Sequence, residues 1–258
     1  MKQARSLSWV ICALILISLR AATVQAGTIF SGDSTGNLWT VNAPTGNATL
    51  VGNMGTVMTD IAFSPSGALF GVSFSQFFSI NSATGASTLI GNLGIGDANA
   101  LEFDAGGTLF ASSGGNLYTV DSGTGAASLV GVIGPRASGD LAFAPDGTLF
   151  MSADPVIGTL DDLLTVNPST GAGTVVGSIG FVDVFGIDFY GGSLVGLTAG
   201  GQLISIDTTT GAGALVASTN PSVATFGSST FVPEPSILFL LGTGLVGVVA
   251  ARKLRKRA

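Results

Sequence analysis

Five octets recur along the middle of the chain, and they restrict its fold more than any other feature. They read "WTVNAPTG" from Trp39, "FSINSATG" from Phe78, "YTVDSGTG" from Tyr118, "LTVNPSTG" from Leu164 and "ISIDTTTG" from Ile204. Their closing glycines, Gly46, Gly85, Gly125, Gly171 and Gly211, are spaced 39, 40, 46 and 40 residues apart. A fixed period of this length is the mark of a supersecondary unit that buries its apolar face only against copies of itself.

Each octet runs apolar, hydroxyl, β-branched, then Asn or Asp, which predicts a strand entering a turn, and the final glycine can take the positive φ that reverses the chain. A second strand follows in "ATLVG", "STLIG", "ASLVG", "TVVGS" and "ALVAS", a third in "DIAFSPSG", "ALEFDAGG", "DLAFAPDG" and the looser "GIDFYGG", and a fourth in "ALFGVS", "TLFASS", "TLFMSA" and "SLVGLT". In "APDGTLF" the proline presets a turn, Asp146 can bond its own backbone, and Gly147 is free to adopt φ > 0, a hairpin signal. Four strands per 40 residues is the period of a β-propeller blade.

The segment after residue 27, "TIFSG…NLWTVN…ATLVG", matches the last three strands of a unit, and the missing one appears far away as "VATFGSSTF", Val223 to Phe231. Twenty strands then make five complete blades, the last built from both ends of residues 27–231. Such a latch removes the exposed sheet edges that invite aggregation. A stacked solenoid is the rival architecture, but it needs capping units rather than a split one. The expected fold is therefore all-β, a five-bladed propeller with four-stranded blades and a split closing blade. Its repeats are similar to the loosely related propeller repeats of many secreted bacterial proteins. That likeness carries little about function, because such propellers include binders and enzymes.

Charge is sorted by region. Between Asp33 and Asp207 lie fourteen of the fifteen acids and a single cation, Arg136, a net charge of −13. Such a body repels phosphate backbones, which argues against nucleic-acid binding. The chain has no histidine, and its one cysteine, Cys12, lies in the first apolar run. Ser/His/Asp and Cys/His triads, disulfide frameworks and histidine-based metal sites are therefore excluded from residues 27–231.

Carboxylates remain. Asp60, Asp97, Asp140 and Asp183 stand at or just ahead of the "DIAF" strand in successive units, and they would gather at one channel mouth if that strand lines the axis. Paired carboxylates there are what a glycosidase requires, although aspartate more often caps a turn or opens a strand. Aromatic platforms for sugars are few: Trp39, Tyr118 and Tyr190, with Trp39 expected in a blade core. The unit after Phe150 is longer than its neighbours, and the extra residues, "ADPVIGTLDD", bring in Asp154, Asp161 and Asp162. Insertions in repeats map to loops, so these three are the candidate cation-binding residues, with Ca²⁺ the oxygen-seeking ion they would take. A solvated, tolerated insertion is the plainer reading. No other cofactor is expected. Arg136 is expected at the surface.

Both ends read as addresses. Lys2 and Arg5, an apolar stretch from Leu7 to Leu19, and Val24 and Ala26 before Gly27 predict a signal peptide over residues 1–26, hence Sec-dependent export. At the other end "VPEP" precedes a 16-residue apolar run from Ser236 to Ala251, about 24 Å as a helix. That length spans a bilayer with some thinning. Arg252, Lys253, Arg255, Lys256 and Arg257 then supply a cytoplasmic basic stop.

This three-part ending, residues 232–258, resembles a PEP-CTERM sorting signal. The resemblance implies a Gram-negative bacterial host that makes exopolysaccharide and a membrane protease, an exosortase, that recognises Pro233, Glu234 and Pro235. It also implies a chain anchored in the inner membrane at first and later found at the cell surface or in the extracellular matrix. The expectation is a non-catalytic exported propeller contacting exopolysaccharide or surface proteins. The alternative is a secreted glycoside hydrolase working through propeller carboxylates.

Overall fold

A computed structural model describes residues 28–231, apart from Pro155 and Ile157. The predicted signal helix, sorting motif, transmembrane helix and basic tail all lie outside the described residues. Among the described residues there is no α-helix, hence none long and apolar enough to cross a membrane.

Twenty strands form five four-stranded antiparallel sheets. The first complete blade runs β4 (Asp60–Phe63), β5 (Leu69–Val72), β6 (Gln76–Ile80) and β7 (Ser87–Asn92) from the inside outward. The next is β8 (Ala98–Phe103), β9 (Leu109–Ser113), β10 (Asn116–Val120) and β11 (Ala127–Val132). It is followed by β12 (Arg136–Phe143), β13 (Leu149–Asp154), β14 (Asp162–Val166) and β15 (Gly173–Ser178). The fourth holds β16 (Val184–Tyr190), β17 (Ser193–Thr198), β18 (Gln202–Ile206) and β19 (Gly213–Ser218).

The closing blade joins the two ends. β20 (Thr225–Phe231) pairs with β1 (Thr28–Asp33), which continues through β2 (Asn37–Asn42) to β3 (Ala48–Asn53). Ile29 stands opposite Phe231, and Ser31 opposite Ser229. A parallel bridge between Asn47 and Asn220 ties the last octet's blade to the first octet's turn. The five blades, the split one included, follow the repeat register read from the octets.

The core is a ring of layers, one in each gap between blades. Ile61, Phe63 and Leu69 pack on Phe30, Leu38 and Met54 of the closing blade. Ala62, Val72 and Phe77 face Leu101, Phe103 and Leu109 of the next. Alternate residues of each inner strand therefore face opposite neighbours, and each fully buried Leu, Ile or Phe stabilises the ring by about 1.5–3 kcal/mol.

The octet turns are held from within. The fourth octet residue closes each turn: Asn81 Oδ1 accepts from the amides of Ala83 (2.9 Å) and Thr84 (3.1 Å), and Asp207 Oδ1 from those of Thr209 (2.8 Å) and Thr210 (2.9 Å). The Thr209 hydroxyl, donating to the same oxygen at 2.7 Å, and these two amides hold the exposed Asp207 carboxyl at about 2. Asn and Asp make this local bond more strongly than Ser or Thr, which is why each octet carries one of those two at its fourth place.

Candidate functional site

The inner strands β4, β8, β12, β16 and β20 surround the axis, and their free edges leave backbone amides facing the channel. Two aspartates answer those amides. Asp60 accepts from its own neighbour Ile61 (2.8 Å) and, across the gap, from Leu101 of β8 (2.7 Å). Asp140 repeats the arrangement on Leu141 (2.6 Å) and on Ile187 of β16 (2.8 Å). Each carboxyl thus ties its own blade to the next one round the ring.

Asn99 does the same work between β8 and β12, donating to the carbonyl of Ala137 at 2.7 Å. Thr59 reaches from the first complete blade to the Ala98 carbonyl at 2.7 Å. Polar inner-strand residues therefore replace the ladder that neighbouring inner strands do not form.

Asp60 and Asp140 also meet each other, hydrogen-bonded carboxyl to carboxyl. Both are buried, and burial raises each well above the ordinary carboxylate range; the Asp60 charge raises Asp140 further, whereas the hydrogen bond with Asp140 partly offsets the rise at Asp60. The pair shares a proton.

The expectation that Asp60, Asp97, Asp140 and Asp183 gather at one mouth is corrected here. Asp60 and Asp140 come together, but Asp97 and Asp183 stand in the loops before β8 and β16. There they adopt left-handed backbone at φ 56° and 53°, and Asp183 gives its main-chain carbonyl to the amide of Ala199 (2.9 Å). In the aligned repeats Ala100 and Gly186, rather than an acid, occupy the positions of Asp60 and Asp140.

Two acids the octet reading passed over complete the axis. Glu102 of "ALEF" and Asp188 of "GIDF" fall where Ala62 and Ala142 stand in the other two units, two residues farther along their strands, roughly 7 Å. Setting those four tetrapeptides side by side would have singled out both. Phe189 donates its amide to Asp188 Oδ1 at 2.6 Å. Burial first, then the charges of Asp188 and Asp140, raise Glu102 well above its ordinary value.

Glu102 forms part of the lining of an open cleft of about 680 Å³ on the face that carries the turns after the inner strands. Phe63, Phe103 and Phe143 give the walls, and Asp104 and Asp146 stand at the turns. These last two serve their own turns, accepting from the amides of Thr108 (2.7 Å) and Thr148 (2.9 Å).

The insertion after β13 distributes its acids differently from the expected trio. Asp161 turns inward, where Oδ2 accepts from Ser138 Oγ (2.8 Å) and from the Val184 amide (2.7 Å). Burial, partly offset by those bonds, sets its carboxyl at about 6, and Asp154 and Asp183 act on it as like charges. Asp162 lies on β14 opposite Ser178. The third acid near Asp161 is therefore Asp183, brought from a loop distant in sequence. Asp154 has one oxygen, Oδ1, buried without a hydrogen bond. Among the described residues no three acids, histidines or cysteines converge so as to hold a metal ion. Arg136 is exposed at the start of β12.

Trp39 is only part-buried, and its indole donates to Asp33 Oδ2 at 2.8 Å. Asp33 Oδ1 also accepts from the amides of Thr35 (2.8 Å) and Asn37 (2.9 Å). The sorting residues Pro233, Glu234 and Pro235 and the cations Arg252, Lys253, Arg255, Lys256 and Arg257 lie outside the described residues.

Residues 231–256 match a family model described as the PEP-CTERM protein-sorting motif. The chain carries that signal, which marks it for export and for handling by an exosortase at the membrane. No curated protein matches the chain. Among solved structures it resembles a symmetrical protein from work on the de novo evolutionary emergence of symmetrical proteins, with TM-score 0.52 and 19% identity over 74% of this chain and 93% of that one. It also resembles a chain of the nidogen/laminin complex, with TM-score 0.55 and 11% identity over 80% of this chain and 98% of that one. At such identities the likeness is one of fold.

Proposed function

We propose that this chain is an exported, non-catalytic propeller that is held at the membrane during sorting and then presented at the cell surface or in the extracellular matrix. There it contacts exopolysaccharide or protein partners. Export by the Sec route, through a signal peptide ending at Ala26, and anchoring by the apolar run from Ser236 to Ala251 belong to the same reading. The observation that carries the non-catalytic part is the engagement of Asp60 and Asp140. Their oxygens are committed to main-chain amides and to each other, whereas a glycosidase needs two carboxyls free to face a glycosidic bond.

Fractionation of the native host, with the intact chain and with variants lacking either the Pro-Glu-Pro motif or the basic tail, tests the sorting half. Surface delivery lost in both variants supports it, and cytoplasmic retention of the intact chain rejects it. A panel of glycan substrates tests the rest. A hydrolase reading draws on one feature, the half-buried Glu102 carboxyl, raised above its ordinary value, in the wall of an open cleft. Turnover abolished by Glu102→Gln or Asp140→Asn would replace the binding reading with it.

A further inference from the structure

The cleft around Glu102 differs from the rest of the axis. Asp60, Asp140, Asp161 and Asp188 each accept a main-chain amide. Among the described residues no hydrogen bond reaches the Glu102 carboxyl, which is half-buried in the wall of the cleft. Its oxygens are therefore open to a donor that enters from the cleft. Its charged neighbours are acids, and the one cation of the described body, Arg136, does not line the cleft.

The cleft lies within the roughly 300–1,000 Å³ range of small-ligand sites. Its Phe63, Phe103 and Phe143 walls suit the C–H face of a ring. A body of net charge −13 repels an anionic glycan and attracts a cationic one.

We propose that this cleft binds an amino sugar unit of a cationic, de-N-acetylated glycan, with the sugar ammonium donating to Glu102 and the pyranose resting on the Phe63, Phe103 and Phe143 walls. An ammonium group brings three donors to a carboxyl that has none. It also restores the ionised form, because a cation alongside offsets the burial and the like charges that hold the proton on. Glu102 then gives up its proton to solvent as the ligand enters. The inference rests on the glycan-contacting reading above and narrows it to one class of sugar.

Calorimetric titration of the mature chain at pH 7 with a glucosamine tetramer, an N-acetylglucosamine tetramer and hexylammonium tests it. The glucosamine tetramer is expected to bind at least tenfold more tightly than its acetylated counterpart, with proton release visible as a heat that depends on the buffer. Glu102→Gln should weaken that binding at least tenfold while melting no lower than the parent, since it removes an acid set among the like charges of Asp188 and Asp140 without changing shape.

Equal binding of the two tetramers overturns the proposal, as does unchanged affinity in Glu102→Gln. Binding of hexylammonium with no binding of the glucosamine tetramer overturns it too, since it leaves an amine site that takes no sugar. If host exopolysaccharide binds but no amine probe does, the inference falls and the broader reading stands. Shortening of the glucosamine tetramer, abolished in Glu102→Gln, supports the ligand assignment and removes the non-catalytic reading.

Discussion

The backbones of Gly52 and Gly85 touch across a blade boundary: a Cβ on Gly85 would stand 2.8 Å from the carbonyl carbon of Gly52, and one on Gly52 would overlap the Thr84 carbonyl. The same contact recurs as Gly91 with Gly125, Gly131 with Gly171 and Gly177 with Gly211. At the closure Gly46 meets Ala217 and Ser218 instead. Thus the glycine that ends each octet both reverses the chain at positive φ and seats the outer strand of the preceding blade.

Alanine separates the two roles. Gly147 has φ +89° and open space where a Cβ would go, and Gly85 has φ +78° and the neighbouring blade. Gly147→Ala should cost about 1–2 kcal/mol, the left-handed penalty alone. Gly85→Ala should add the ~1–3 kcal/mol typical of overpacking. Urea unfolding of both variants checks this, and equal losses would show that the blade contact contributes nothing.

These contacts also mark what was legible in the sequence. The octet period, the Asn/Asp turns and the stray "VATFGSSTF" are local patterns, and a local pattern repeated five times leaves little freedom in blade number. The axis was less legible. Whether Asp97 and Asp183 join Asp60 depends on where each strand begins, and a shift of three residues moves an acid from the channel into a loop. Likewise Asp183 lies near Asp161 only because the ring brings the loop before β16 beside the insertion after β13, a proximity that no spacing encodes. Glu102 and Asp188 were hidden by their context, since an acid between apolar residues reads as an outward strand position until the strand is known to edge a channel.

Stability should fall as pH rises through the neutral range. The folded values of Asp60, Asp140 and Glu102 are raised, and that of Asp161 is near 6. The folded state therefore binds more protons than the unfolded chain, whose carboxyls titrate near 4, and it loses that advantage as pH climbs through the folded values. Asp33 and Asp207, both held near 2, act oppositely: the stability they contribute is present above pH 4 and lost as pH falls toward 2. The melting temperature should peak in mild acid and decline from pH 5 to 8. Asp140→Asn, which mimics the protonated acid, should flatten that decline and match or exceed the parent at pH 8. A flat parent profile would refute the shared-proton arrangement.

Trp39 should report the Asp33 cluster directly. Burial pushes the Asp33 carboxyl up, but hydrogen bonds from Asn37, Trp39 and Thr35 outweigh it and set the value at about 2. In a Trp9→Phe background, Trp39 emission should shift with an acid midpoint near pH 2, and Asp33→Asn should abolish the shift. Asp33→Ala strands several donors and should cost about 1–3 kcal/mol in chemical unfolding. A midpoint near 4 would show that the indole bond does not form in solution.

Closure supplies the most demanding test. β20 is the inner strand of a blade whose other three strands lie about 190 residues earlier in the chain. Truncation after Ser222 removes it, baring the edge of β1 and leaving β4 and β16 without their neighbour at the axis. Hydrogen bonds such as Ser31 Oγ with Thr225 Oγ1, 3.2 Å apart, go with it. The truncated chain should lose its single cooperative melt and self-associate through the exposed edge. A circular permutant that places residues 223–231 directly before Gly27 keeps every strand and makes the closing blade continuous, so it should fold and melt cooperatively. Parent-like melting of the truncated chain would mean that the ring does not depend on its latch.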